Sequence, residues 1–127
     1  MTRPTHASVV ERFDGPEAAQ LKSSTRTGVL RVRIANDRRH STLVLEGEVD
    51  LSNAGVLEQA IRHVEVSASE SITIDLSRMH FIDLRGVRAI VDAVARLDGR
   101  LRLIKGPPWV QSVFHLTGAE AALPFET

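Results

Sequence analysis

Hydrophobic and polar positions alternate along much of this chain, and in the stretches between they recur with helical spacing. Leu30, Val32 and Ile34 alternate with Arg31 and Arg33. Asn36-Asp37 and the basic residues after it supply turn chemistry before Thr42-Leu43-Val44-Leu45-Glu46-Gly47, so the pair reads as a hairpin. Ile72, Ile74 and Leu76 alternate with Thr73 and Asp75, and Leu101-Arg102-Leu103-Ile104-Lys105 repeats the pattern. Each is the signature of a strand with one buried face. Between the strands, Ala54, Leu57, Ile61 and Val64 share one helical face, with Ser52 placed as N-cap and an end near His63 or Val66. The clearest stripe is Val87, Ile90, Val91, Val94 and Leu97; Asp83 is placed to cap that helix and Gly99 to close it in a left-handed conformation. Gly106-Pro107-Pro108 stops the last long strand. Pro108 suits the first turn of a third helix, whose inner face carries Val110, Val113, Phe114 and Thr117 before Gly118. Residues 123–125 add a short extended edge, where Pro124 argues against a central position.

The order is strand, strand, helix, strand, helix, strand, helix, with an optional terminal strand. Crossovers between parallel strands are right-handed, so strands laid down without reversal put their helices on the same face. The expected fold is α/β: a mixed sheet of four to five strands with its helices mainly on one face. The other face carries Arg31, Arg33, Val44, Thr73 and Arg102 and is polar and locally basic, whereas a fully covered parallel sheet would show continuous apolar strands. Residues 1–28 lack sustained periodicity and read as a flexible N-terminal tail. Their apolar cluster Val9, Val10 and Phe13 is either a docked helical turn or part of that tail. Residues 29–127 form the domain.

With 127 residues, 43% of them hydrophobic, the chain can build one compact core but not two. Lysine plus arginine and aspartate plus glutamate both number 16, so net charge gives no reason to expect direct nucleic-acid binding or attraction to an anionic membrane. The absence of cysteine removes disulfides, thiolate zinc sites and cysteine nucleophiles, and is compatible with a reducing compartment. No apolar run approaches the roughly 18 residues of a membrane span, so no membrane insertion is expected and the default location is the cytoplasm. His6, His40, His63, His80 and His115 are scattered without metal-ligand spacing. Asp50, Asp75 and Asp83 each sit where a turn or cap needs an acceptor, which suits capping better than acid–base chemistry. Ser52 and Ser77 have no sequence-linked base, and no glycine-rich phosphate loop is present. No cofactor is expected. Trp109 is either a core residue or a half-exposed interface residue.

Residues 77–86 join the third strand to the clearest helix. Arg85 in the first helical turn opposes the helix dipole. With Arg78, His80 and Arg88 it makes a basic rim; Arg85 is either paired with a carboxylate such as Asp83 or aimed at an acidic partner. Leu84 is either a buried residue under the helix or an exposed apolar anchor.

Three sequence pieces stand in order: Gly47-Glu48-Val49-Asp50, then Ile74-Asp75-Leu76-Ser77 with Phe81-Ile82-Asp83, then Leu116-Thr117-Gly118-Ala119. In that order and spacing the chain resembles the STAS domain, the fold of bacterial anti-sigma factor antagonists, over about residues 29 to 126. The resemblance implies a STAS-type sheet and a non-catalytic role in transcription regulation. In that role the domain binds an anti-sigma factor that is also a serine kinase, freeing the sigma factor; phosphorylation of a Ser or Thr just after the loop aspartate ends the binding. Residue by residue, the family aspartate matches Asp83, the phosphoacceptor position is Leu84, the next position is Arg85 and the family glycine is Gly86. Leucine has no hydroxyl, so the usual phosphoserine switch cannot operate there. The implied partner-binding set is Met79, His80, Asp83, Leu84, Arg85, Gly86 and Arg88 with Asp50, on a monomer or weak dimer. Alternatives are a STAS subunit docking on another ATPase, such as that of a lipid-transport complex, and, remotely, a small nucleotide-binding or hydrolytic enzyme.

Overall fold

Alternation in the sequence becomes strand pairing in the computed structural model, which describes residues 8–12, 18–24, 29–37, 39–66 and 70–126. The elements are β1 (Ser8–Arg12), β2 (Ala18–Ser24), β3 (Val29–Asn36), β4 (His40–Val49), α1 (Ala54–Val66), β5 (Ser71–Ile82), α2 (Leu84–Leu97), β6 (Leu101–Ile104), α3 (Pro108–Leu116), a 3₁₀ turn (Glu120–Ala122) and β7 (Phe125–Glu126). They make one sheet in the order β1-β2-β3-β4-β5-β6-β7. The pairs from β1 to β4 are antiparallel, and those from β4 to β7 are parallel.

Each parallel step passes through a helix, and the strand order never reverses, so right-handed crossovers bring α1, α2 and α3 to the same face. The helices lie side by side there, α1 beside α2 and α2 beside α3. The inward residues Leu30, Val32, Ile34, Leu43, Leu45, Ile72, Ile74, Leu101 and Leu103 are buried beneath them. On the other face Arg31, Arg33 and Arg102 are exposed, and Arg31 pairs with its cross-strand neighbour Glu46 at 3.3 Å. Thr73 is the exception on that face, only 7% exposed: His40 lies beside it, with Nε2 3.2 Å from Thr73 Oγ1 and Nδ1 2.6 Å from Ser71 Oγ.

Strands β3 to β7 are the mixed sheet that the sequence predicts. The hairpin of β1 and β2 is an addition, since no strand was expected within residues 1–28. Val9 and Val10 lie in β1 rather than in a helical turn, while Phe13 is outside the described residues. β2 pairs along β3 from Ala18↔Ala35 to Ser24↔Val29, so it is held by the backbone edge of β3. A strand held that way need not advertise itself by a strong apolar period.

The helix ends differ in detail from the sequence reading. Asn53, not Ser52, stands at the start of α1: its carbonyl accepts from Val56 N (2.9 Å), its Oδ1 accepts from Asp50 N (2.9 Å) and its Nδ2 donates to Glu48 O (3.0 Å). These bonds satisfy a polar side chain that is almost fully buried. α2 ends in Asp98, whose φ of 37° already lies in the left-handed region ahead of Gly99. Val110 and Phe114 anchor α3, but Thr117 is exposed. Phe114 meets Phe125 of β7 edge-on, with ring centroids 5.3 Å apart.

Away from the sheet, α1 and α2 are joined by a fork: Arg96 Nε lies 3.1 Å from both Glu65 oxygens and Nη2 lies 2.6 Å from Oε1. Those hydrogen bonds hold the Glu65 carboxyl below its ordinary range against a lesser effect of burial, and the Arg96 pKa is raised in turn. A carboxyl depressed in the folded state stabilises above its unfolded pKa, and that stabilisation is lost as pH falls through the folded value. The Arg96 side chain is 39% exposed, which keeps the effect small through screening. Glu65→Gln should therefore lower the melting temperature at pH 7, and the gap to the parent should close as pH falls below the glutamate range. Melting curves followed by circular dichroism across that range check this; a gap of constant size would disprove the assignment.

Candidate functional site

At the end of the sheet where all three helices begin, β5 departs from regular pairing. Its partners on β4 run Val44↔Asp75, Glu46↔Arg78, Gly47↔Met79 and Glu48↔Phe81, so β5 carries an extra residue at each of two irregularities. A bulge resets which side of the strand faces the core. After Leu76 the buried residues are accordingly Met79 and Ile82, and Ser77, Arg78, His80 and Phe81 are exposed. The sequence reading placed Met79 in a contact loop. It is instead a core residue, 1% exposed, and offers a partner no surface.

Asp83 then ends the strand and starts α2. With φ −108° and ψ −173° it is extended, and Oδ1 accepts from the amides of Arg85 (2.9 Å) and Gly86 (3.2 Å), an N-cap as the sequence predicts. Its Oδ2 accepts from Leu51 N (3.0 Å), and its own amide donates to Val49 O (3.1 Å). The same carboxylate thus fastens the β4–α1 loop to the start of α2. In that loop the Asp50 carboxylate accepts from both the amide and the hydroxyl of Ser52. Gly86 is buried; a Cβ on it would lie 2.6 Å from Ile82 Cγ1 and 2.8 Å from Val49 Cγ1. Gly86 therefore serves close packing of helix on sheet and is not a contact residue.

The remaining expected residues do face solvent. Leu84 is 66% exposed, which settles it as an outward apolar side chain rather than a buried one. Arg85 is exposed as well, beside an Asp83 carboxylate already occupied by the amides of Leu51, Arg85 and Gly86. Arg88 pairs with Asp92 at 3.6 Å. A groove of about 550 Å³ is lined by Glu58 of α1 and by Leu84, Arg85, Arg88 and Asp92 of α2.

Three exposed apolar residues at this end were not in the sequence-derived set: Leu51 (66% exposed), Phe81 (47%) and Trp109 (59%). Trp109 Nε1 donates to His80 O (2.9 Å), so the tryptophan is held at the surface by the bulged strand. Leu51 was legible in principle, because it lies off the stripe of Ala54, Leu57, Ile61 and Val64. Phe81 was legible too, since it falls on the outward side of the alternation set by Leu76.

None of the three helices has an acidic residue in its first turn. An exposed cation such as Arg85 in that position costs about 0.3–1 kcal/mol against the helix dipole. Exposed Arg78 and Arg85 share this end with the capping carboxylate of Asp83 and with the apolar side chains of Leu51, Phe81, Leu84 and Trp109. Among the described residues no cluster of His, Asp or Glu could hold a metal ion, and no helix is long and apolar enough to cross a membrane.

A mixed sheet with its helices on one face, and the capped start of α2 at its end, place the chain in the α/β class. Residues 32–124 match the family STAS_2, described as Mlab, STAS domain, and the chain belongs to that family. Solved structures share the fold. An anti-sigma factor antagonist from Mycobacterium paratuberculosis aligns with a TM-score of 0.69 and 24% identity, over 76% of this chain and 84% of that one. The anti-sigma factor antagonist SpoIIAA in its unphosphorylated form aligns with a TM-score of 0.61 and 22% identity, over 76% and 88%. The Bacillus cell fate determinant SpoIIAA in the phosphorylated form gives 0.57 and 22%, over 76% and 91%. No curated protein matches the chain. Family and fold support a protein-interaction role.

Two substitutions probe the construction of the site. Asp83→Ala removes the cap and the tie to Leu51 and should cost about 0.5–2 kcal/mol. Gly86→Ala should cost about 1–3 kcal/mol through overpacking, despite alanine's better helix propensity. Urea unfolding measures both, and a neutral or stabilising Gly86→Ala would show that α2 can move off the sheet.

Proposed function

We propose that this STAS domain is a non-catalytic anti-sigma factor antagonist. It binds an anti-sigma factor of the serine-kinase type through the start of α2 and thereby frees a sigma factor, without a phosphoserine switch at that junction. Residues 29–127 act as the binding unit, with residues 1–28 appended to it, and the protein works in the cytoplasm. The observation that carries the reading is Leu84: directly after the capping aspartate, at a free helix start where the family resemblance places the phosphoacceptor, stands an exposed side chain with no hydroxyl. Arg85 beside it has none either. A phosphate there would have met the positive end of the helix dipole, so its loss removes a site that physical chemistry favours.

A kinase partner can then bind but cannot release this antagonist by modifying the junction. Control would fall to protein supply or to another hydroxyl; Ser77 is exposed on the bulged part of β5, whereas the Ser52 hydroxyl is bonded to Asp50. The same missing hydroxyl favours a second reading, docking on another ATPase such as that of a lipid-transport complex, where no acceptor is needed.

Incubation with the purified serine-kinase anti-sigma factor and ATP tests the first reading. The peptide spanning residues 79–88 should carry no phosphate by mass spectrometry, the complex should survive ATP turnover, and Leu84→Ser should gain phosphate. Arg85→Glu should weaken the complex while changing stability by no more than about 0.5 kcal/mol. Phosphate on Ser77 coupled to release would show a displaced switch, and failure to bind the kinase at all would favour the second reading.

A further inference from the structure

We propose that Ser71 is a nucleophilic serine that accepts an acyl group from a donor with a good leaving group, and that His40 is its base. The site lies away from the start of α2 and goes beyond the interaction role proposed above.

Strand register makes the array. In the parallel pair of β4 and β5, His40 stands opposite Ser71 and Thr42 opposite Thr73, so the His40 ring meets two hydroxyls that are 31 and 33 residues away in sequence. Nδ1 lies 2.6 Å from Ser71 Oγ, and Nε2 lies 3.2 Å from Thr73 Oγ1.

The two distances fix the tautomer. The 2.6 Å contact is shorter than an N–H donor makes to oxygen, about 2.7–3.2 Å, and falls within the range of about 2.5–3.0 Å for a hydroxyl donor. Ser71 therefore donates to a bare Nδ1, and Nε2–H donates to Thr73 Oγ1 at a distance ordinary for an N–H. A hydroxyl bonded to an imidazole, whose other nitrogen is held by a third group, is the arrangement of an activated serine. Thr73 is only 7% exposed and is a fixed acceptor. Ser71, the first residue of β5, is partly exposed on the sheet face that no helix covers, so a reagent can reach its hydroxyl.

The step balances with the acyl donor alone. Ser71 Oγ attacks the acyl carbon while its proton passes to His40 Nδ1; the bond from that carbon to the leaving group breaks, and the leaving group departs with the proton from Nδ1. O-acylserine and neutral His40 remain. Thr73 positions the ring but does not stabilise an imidazolium as a carboxylate would, which puts the activation near the lower end of the about 10²–10⁴-fold due to a positioned base. The amides of Glu70 and Ser71 both donate to Arg39 O, at 2.9 and 3.1 Å, and are not offered to a developing oxyanion. One acyl transfer suits such a site better than turnover. A phosphoryl group suits it less, because it would add about −1.5 to −2 charge beside uncharged partners. The neighbouring cation Arg39 already faces Glu70 at 3.8 Å, whereas an acyl ester adds no charge.

The test treats the whole protein with p-nitrophenyl acetate. Peptide mass spectrometry should find an acetyl ester on Ser71, removable by hydroxylamine and formed well ahead of any on Ser77, an exposed serine outside the array. His40→Gln should slow this acetylation about a hundredfold. Thr73→Val should slow it too, and Thr73→Ser should restore it, which a purely structural role for the hydroxyl would not require. Circular dichroism melting confirms that each variant is folded; the His40 ring is partly exposed, so His40→Gln decides the matter even where Thr73→Val unfolds the domain. Absence of an ester on Ser71, equal labelling of Ser71 and Ser77, or acetylation of folded His40→Gln at the parent's rate would each overturn the proposal.

Discussion

One carboxylate sets the geometry of the functional end. The oxygens of Asp83 accept from the amides of Arg85 and Gly86 on one side and Leu51 on the other, so α2 is started and the β4–α1 loop is fixed by the same group. A hydrogen bond to a charged acceptor contributes about 1.5–3 kcal/mol, about twice a neutral one. More consequential than the energy is the geometry. Leu51 and Leu84 belong to different connections, and this acceptor ties the two together beyond the last strand pair, Val49 and Ile82. Gly86 completes the arrangement: Asp83 sets where the helix begins, and the missing Cβ lets it rest directly on Ile82 and Val49.

The helix start also depends on the irregular strand before it. Continued at a two-residue period from Leu76, β5 would turn Arg78 and His80 inward, burying a charge without a partner. Its two irregularities carry Met79 inward instead and leave Arg78 and His80 in solvent, while Ile82 keeps the inward side. They also free the His80 carbonyl to accept from Trp109 Nε1, which brings the start of α3 to the same surface.

Much of this was legible in the chain. The period-2 sets around Val32, Leu45, Ile74 and Leu103 identified the strands from β3 to β6, and the stripe from Val87 to Leu97 identified α2, because burial of one face is what those periods record. Asp83 was legible as a cap because it is an acceptor placed just before that stripe. What escaped was produced by pairing or by tertiary placement. β2 is held by the edge of β3, a relation that leaves no strong local period. Met79 was misplaced because the alternation stops at Leu76, and an inserted residue looks the same in sequence as the end of a strand. The exposure of Trp109 depends on which elements fail to cover it.

The opposite ends of the helices are treated differently. Each helix has a basic residue in its last turn: His63 in α1, Arg96 in α2 and His115 in α3. In α2 the guanidinium of Arg96 complements the negative end of the dipole, and Arg96 and His115 lie beside carboxylates within the domain, Glu65 and Glu120. At the N-terminal ends no first-turn acid plays the matching part, and α2 instead carries Arg85. At the start of α2 the carboxylate of the N-cap, Asp83, offsets the dipole from just outside the first turn. The C-terminal ends are thus closed by contacts within the domain, whereas the start of α2 combines an internally satisfied cap, Asp83, with the outward side chains of Leu84 and Arg85.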